Sequence, residues 1–157
     1  MSVDVLWSKL KKRRTPNIMA EEIKAALRKS FYDAPRNERE VQDHLQMVLD
    51  LLKYESSREA YAISYSGRSY TPDFVVEFSR STVKGKIGAA IEVKLCNSKA
   101  RVKRIIDEIS ADIPAYRKHF HPILFVIYDM GFIRNEDTLR KDIERQNPGT
   151  RVVVVKH

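Results

Sequence analysis

A chain of 157 residues with 43% hydrophobic content is enough for one domain with a buried core, which we expect to span 1–157. The formal net charge of +8, within 32% charged residues, favours a polyanionic partner, nucleic acid first; no apolar run reaches transmembrane length and no lipidation signal appears, so no membrane partner is expected. The one cysteine, Cys96, excludes an internal disulfide and cannot alone build a zinc site, and Met1-Ser2-Val3-Asp4-Val5 lacks the basic-then-apolar order of a secretory signal, so a cytoplasmic location is expected.

Val3, Leu6, Trp7 and Leu10 recur at helical spacing and predict a short amphipathic helix over 3–12. It ends in Lys9, Lys11, Lys12, Arg13 and Arg14, which can contact phosphates or form the solvated end that the helix dipole favours. Thr15-Pro16 is a helix start, and Met19, Ile23, Leu27 and Phe31 give an apolar stripe that should stop near Tyr32. Residues 1–34 therefore read as a helical lead-in packed on a core at 37–157.

A stronger helix opens at Asn37 and runs over 37–53, with Asn37 as cap and Glu40 closing a capping box. Val41, Leu45, Val48, Leu49 and Leu52 make its buried face, and Glu38 lies within that face whereas Glu40 points away. A carboxylate so placed either serves the helix dipole or has a partner inside, and Gln42, one turn on, can line the same cleft. Residues 60–65 read as the first strand after a turn at Ser56-Ser57, and Ser66-Gly67-Arg68 as a second turn.

Two runs of strand length follow, 68–78 and 89–95, joined by a polar connection containing Gly85 and Gly88 and expected to form a β-hairpin. Along the second run Ala90, Glu92 and Lys94 share one face, read as chemistry, and Ile91, Val93 and Leu95 the other, read as core. Asp73 sits where a hairpin partner can bring it beside Glu92. In the connection, Arg80, Lys84 and Lys86 can lie against a nucleic-acid backbone or simply be solvated.

Asn97-Ser98 turns the chain into a long helix whose first turns carry Lys99, Arg101, Lys103 and Arg104, against the dipole's preference for anions there. A phosphate backbone would account for them, and with Arg68 they are the expected nucleic-acid contacts. Val102, Ile105, Ile106, Ile109, Ile113 and Tyr116 form the buried stripe, and Pro114 implies a kink or a shorter helix. A buried strand at 122–129, a helix at 136–146 capped by Asn135, and a last strand at 151–155 complete an α/β order. His119 and His121 read as a surface pair, and Cys96 as a small semi-buried residue.

Pro72-Asp73 followed by Glu92-Val93-Lys94 resembles the PD-(D/E)xK nuclease superfamily. The triplet alone is weak, since Glu22-Ile23-Lys24 repeats it on a predicted helix, where residues i and i+2 do not face each other. Two carboxylates on adjacent strands offer the hard oxygen ligands that Mg²⁺ prefers, and the neighbouring lysine can orient a water and offset developing charge. Many members of that superfamily carry a helical acidic residue that contributes to metal binding, and Glu38 is the candidate for it.

Asn37-Glu38-Arg39-Glu40-Val41-Gln42, the 68–74 segment, Ile91-Glu92-Val93-Lys94 and Asp112-Ile113-Pro114-Ala115-Tyr116 through Tyr128-Asp129 are similar to the DpnII/MboI-type nuclease domain of restriction and defence proteins. RecB-like nucleases resemble the last region too, but carry Gln where Asp112 stands. The resemblance implies a restriction-endonuclease-like α-β-β-β-α-β core with a mixed sheet. It also implies Mg²⁺-dependent hydrolysis of DNA, with Mn²⁺ substituting, through metal ligands Asp73, Glu92 and Glu38 and the catalytic lysine Lys94. Because the chain is barely larger than such a core, a homodimer or a specificity subunit is expected to complete sequence reading. Two other readings stay open: a catalytically silent nucleic-acid-binding or assembly module of the same fold, and a nuclease for branched DNA or RNA.

Overall fold

The computed structural model describes residues 2–78 and 83–157. Its frame is a five-stranded mixed sheet built from β1 (Ser56–Arg58), β4 (Phe74–Val76), β5 (Ala89–Cys96), β6 (Ile123–Asp129) and β7 (Thr150–Lys156), in that spatial order. β1 to β4 and β4 to β5 run antiparallel, whereas β5, β6 and β7 run parallel. Parallel strands need crossover connections, and helices α4 (Lys99–Tyr116) and α5 (Glu136–Gln146) supply them. Both crossovers lie on one face of the sheet.

On one face α2 (Pro16–Leu27) and α3 (Glu38–Leu51) bury Met19, Ile23, Leu27, Val41, Leu45 and Leu49 against Ile91, Val93 and Leu95. On the other, α4 and α5 bury Ile105, Ile109, Ile113 and Ile143 against Ala90, Phe125, Ile127 and Val154. The expected division of β5 into a core face and an open face is therefore corrected: every residue of the strand is buried except half-buried Glu92. A strand roofed by helices on both faces has no solvent face.

The expected order α-β-β-β-α-β is present as α3, β1, β4, β5, α4 and β6, but its first strand is not the one predicted. Ser56 and Ser57, read as a turn, lie in β1 opposite Val76 and Val75. Of residues 60–65 only β2 (Ile63–Tyr65) is extended, and it pairs with β3 (Arg68–Tyr70) in a separate two-stranded hairpin inserted between β1 and β4. Ser66 and Gly67 both take left-handed φ values, 48° and 75°, as a two-residue hairpin turn demands. The predicted strand over 68–78 is split, because Thr71-Pro72-Asp73 leaves the ladder between β3 and β4. The expected hairpin of β4 with β5 forms, with Phe74 opposite Ile91 and Val76 opposite Ala89.

Helix ends follow their chemistry. Thr15, Asn37, Ser98 and Asn135 each accept from the backbone N–H three residues on. Glu40 does not close a capping box onto Asn37; its carboxylate takes the Arg36 amide and guanidinium instead. The α2 stripe ends at Leu27, and a 3₁₀ turn, Arg28–Ser30, carries the chain to Phe31. α4 continues through Pro114 to Tyr116. In helix α1 (Val3–Arg13) Val3, Val5 and Leu6 are exposed. The stripe side chains expected at Trp7 and Leu10, the basic side chains of Lys11, Lys12 and Arg13, and Arg80 of the 79–82 segment lie outside the described residues. Cys96 is fully buried rather than semi-buried.

Candidate active site

β5 outruns β4: its last paired residue on that edge is Ile91, opposite Phe74. Beyond that point the amides of Val93 and Leu95 still need acceptors, since a buried unpaired N–H is costly. Two carboxylates supply them. Asp73 Oδ2 accepts from Val93 N at 2.8 Å, and Glu38 Oε2 accepts from Leu95 N at 3.1 Å. The open edge of β5 thus collects acidic side chains from the β3–β4 connection and from the first turn of α3.

Glu92 sits beside Asp73 as expected: its Oε2 accepts from the Asp73 amide at 3.2 Å and from the Tyr116 hydroxyl at 3.1 Å. Gln42 Nε2 donates to Asp73 Oδ1 at 3.1 Å, and Arg58 of β1 donates to Gln42 Oε1 at 3.4 Å. Gln42 is therefore a direct partner of Asp73 rather than only a lining residue. Burial pushes the Asp73 carboxyl up to about 6, helped by Glu38 and opposed by the Val93 amide. Burial, then the Asp73 charge, pushes Glu92 up to about 8, with Lys94 opposing.

Lys94 is buried, 7% exposed, and its Nζ lies 3.2 Å from Glu108, 3.4 Å from Asp112 and 3.9 Å from Glu92. Burial alone would lower its pKa, but Glu92, Asp112 and Glu108 outweigh that and the net shift is upward, so the side chain is an ammonium at neutral pH. Glu108 also receives Arg101 at 2.9 Å, and Arg101 reaches Glu38 at 3.5 Å. Those two cations hold Glu108 below the usual carboxylate range despite its partial burial. Asp112 shifts upward because burial outweighs its Lys94 partner.

Of the expected site residues, Asp73, Glu92, Lys94, Glu38 and Gln42 thus come together on one edge, joined by Arg101. Arg101, expected to face nucleic acid, pairs here with Glu38 and Glu108. Arg104 and Arg68 are exposed. Helix geometry, about 100° per residue, places Lys99 and Lys103 on the opposite flank of α4 from Arg101, Glu108 and Asp112. Lys86 caps the end of α4 by donating to the carbonyls of Arg117 and Lys118. Glu108 and the Tyr116 hydroxyl were missed as site groups. Their signal was the spacing Glu108, Asp112, Tyr116, one helical turn each, which aligns polar groups on the edge of the buried stripe.

Among the described residues no group of three or more carboxylate, imidazole or thiol side chains is arranged to hold a metal ion. The expected third ligand, Glu38, is engaged by the Leu95 amide and Arg101. The donor chemistry of the remaining pair does suit a hard divalent cation. Asp73 and Glu92 are adjacent carboxylates whose proton affinities are raised by desolvation, helped by Glu38 at Asp73 and by Asp73 at Glu92, and a cation there relieves both.

The sequence model of the DpnII-MboI restriction endonuclease family matches residues 33–157. No curated protein and no solved structure matches the chain.

Proposed function

Because the chain belongs to the DpnII-MboI restriction endonuclease family, we propose that it is a divalent-metal-dependent endonuclease of PD-(D/E)xK type, hydrolysing DNA phosphodiester bonds in restriction or defence. The observation that carries this reading is the contact of Asp73 with Glu92 beside a buried, protonated Lys94 on the open edge of β5. Asp73 and Glu92 would hold the metal, Mg²⁺ or Mn²⁺, with water and phosphate oxygens completing its shell. The bound ion would supply Lewis-acid polarisation of the phosphate and a more acidic water.

The chain's own residues do the remaining work. Gln42 fixes one oxygen of Asp73 and the Val93 amide fixes the other, so this carboxylate cannot swing away from the edge. Tyr116 and the Asp73 amide hold Glu92 by one oxygen. Lys94 stays charged, so it serves as a cation toward the phosphate and as a hydrogen-bond donor to the attacking water, and it does not remove that water's proton. Glu38 anchors the end of β5 and stands ready as a further oxygen ligand once Arg101 shifts to a phosphate. Arg104 and Arg68, both exposed, are the cations we assign to the DNA backbone.

The test is to incubate the purified chain with plasmid, linear duplex, branched DNA and RNA in Mg²⁺, Mn²⁺ or EDTA. Cleavage of duplex DNA that stops in EDTA is the expected result. Cleavage of branched DNA or RNA alone would move the substrate, and binding without any cleavage would make the chain a silent module of the same fold.

A further inference from the structure

The flank of α4 that turns away from the site borders a groove of about 770 Å³, closed on its far side by α5 and at one end by the loop after β6. Its floor and walls are apolar: Val102 and Ile106 stand one turn apart on α4, Leu139 faces them from α5, and Phe132 projects from the loop with 40% of its surface exposed. The loop is held firmly. Asp129, fully buried, gives its carboxylate to the amides of Gly131, Phe132 and Ile133, so the Phe132 wall is preformed.

The rim is basic. Lys99, Lys103 and Arg134 are exposed and have no ion-pair partner among the described residues, against a single lining carboxylate, Asp142. Elsewhere on α4 the contrast is plain, since Arg101 is shared between two carboxylates. Local folding therefore does not account for the rim charge, and an apolar groove with uncompensated cations on its lips suits an occupant that is apolar on one side and acidic on the other.

We propose that this groove docks an acidic amphipathic helix of a partner protein. A groove between two helices, with apolar residues at i and i+4 on one wall, is the shape that receives a third helix with apolar residues at the same spacing. A second copy offering its exposed α1 is disfavoured, because that helix carries Lys9, Lys11, Lys12 and Arg13 and would meet cations with cations. Nucleic acid is disfavoured because the lining is mainly apolar and lies on the flank opposite the carboxylate edge. A partner seated there touches α4 without entering the site.

The test is to titrate the ¹⁵N-labelled full chain with a synthetic helix of about 18 residues, long enough to form turns in the groove, with leucines at i, i+3, i+4 and i+7 and glutamates between. Saturable amide shifts at Val102, Ile106, Phe132 and Leu139 are expected, with binding weakened about tenfold by Phe132→Ala and by Lys103→Glu. The amide spectrum of each variant reports at once whether it is folded. The proposal is overturned if the shifts are absent or lie elsewhere, or if a control peptide with lysine for every glutamate binds equally. It is equally overturned if a single-stranded oligonucleotide, or raising the concentration of the chain alone, produces the same shifts. These readouts do not depend on cleavage.

Discussion

Glu108 gives its two carboxylate oxygens to two different cations, Lys94 at 3.2 Å and Arg101 at 2.9 Å. We treat it as a positioning residue for Lys94. In Glu108→Gln the neutral side chain cannot hold both cations, and the single-turnover cleavage rate should fall by about tenfold, with DNA affinity little changed and partial recovery in Glu108→Asp. Unchanged rates in Glu108→Gln would make it an ordinary surface pair. Its spacing from Asp112 and Tyr116 hints at a polar edge, but its partners are not legible in the sequence, because Arg101 is seven positions away and Lys94 comes from a strand; only packing brings them together. Glu92 offers a second test at this scale. Its carboxyl is raised to about 8 by burial and by Asp73, so in EDTA its contribution to stability is present below the ordinary carboxylate range and is lost as pH rises through about 8. Thermal unfolding in EDTA should show the wild type losing stability relative to Glu92→Gln between pH 5 and pH 9, and added Mg²⁺ should shrink that difference. A gap between the two proteins that is constant with pH would contradict the assignment.

At the scale of elements, the β4–β5 hairpin sets the distance between Asp73 and Glu92, and Gly88 sets the entry to it. A Cβ at Gly88 would stand 2.7 Å from the carbonyl oxygen of Val76, backbone that cannot step aside without breaking the pairing. Gly88→Ala should therefore cost about 1 to 3 kcal/mol by urea denaturation, and a change in midpoint too small to measure would show that the hairpin gives way freely. This hairpin was legible from its two apolar runs and the glycines between them. β1 was not, because Ser56 and Ser57 have turn-like composition and become a strand only through β4 beside them. The reverse holds at 60–65, read as the first strand of the sheet, of which only Ile63–Tyr65 is extended. Tyr65 and Tyr70 instead lie on the two strands of a small separate hairpin with their rings edge-on, and Tyr70 meets Tyr116 edge-on, with ring centroids 6.3 Å apart. At 63–65 local pattern gave extended backbone without its partner, and at 56–57 it gave neither.

Across the whole molecule, the charge of +8 is unevenly employed. Arg101 and Lys94 are spent inside the site, Lys99 and Lys103 flank the α4–α5 groove, and Arg104 and Arg68 remain exposed on the surface, where we propose that they meet the DNA backbone. Composition showed that a polyanion was favoured, but assigning each cation required the helix to be wound and packed. DNA affinity should fall steeply with salt, and Arg104→Ala should reduce the log–log salt slope by about 1 if that side chain neutralises one phosphate. An unaltered slope would remove Arg104 from the interface. The Asp73–Glu92–Lys94 edge is the place where we propose that the bond is cut. Its most direct measurement is the single-turnover cleavage rate of duplex DNA in Mg²⁺ for the wild type, Asp73→Asn and Lys94→Met, with DNA binding measured in parallel. We predict binding within a few-fold for all three proteins and rates at least about a hundredfold lower in both variants. Cleavage by either variant at the wild-type rate would place the chemistry elsewhere in the chain.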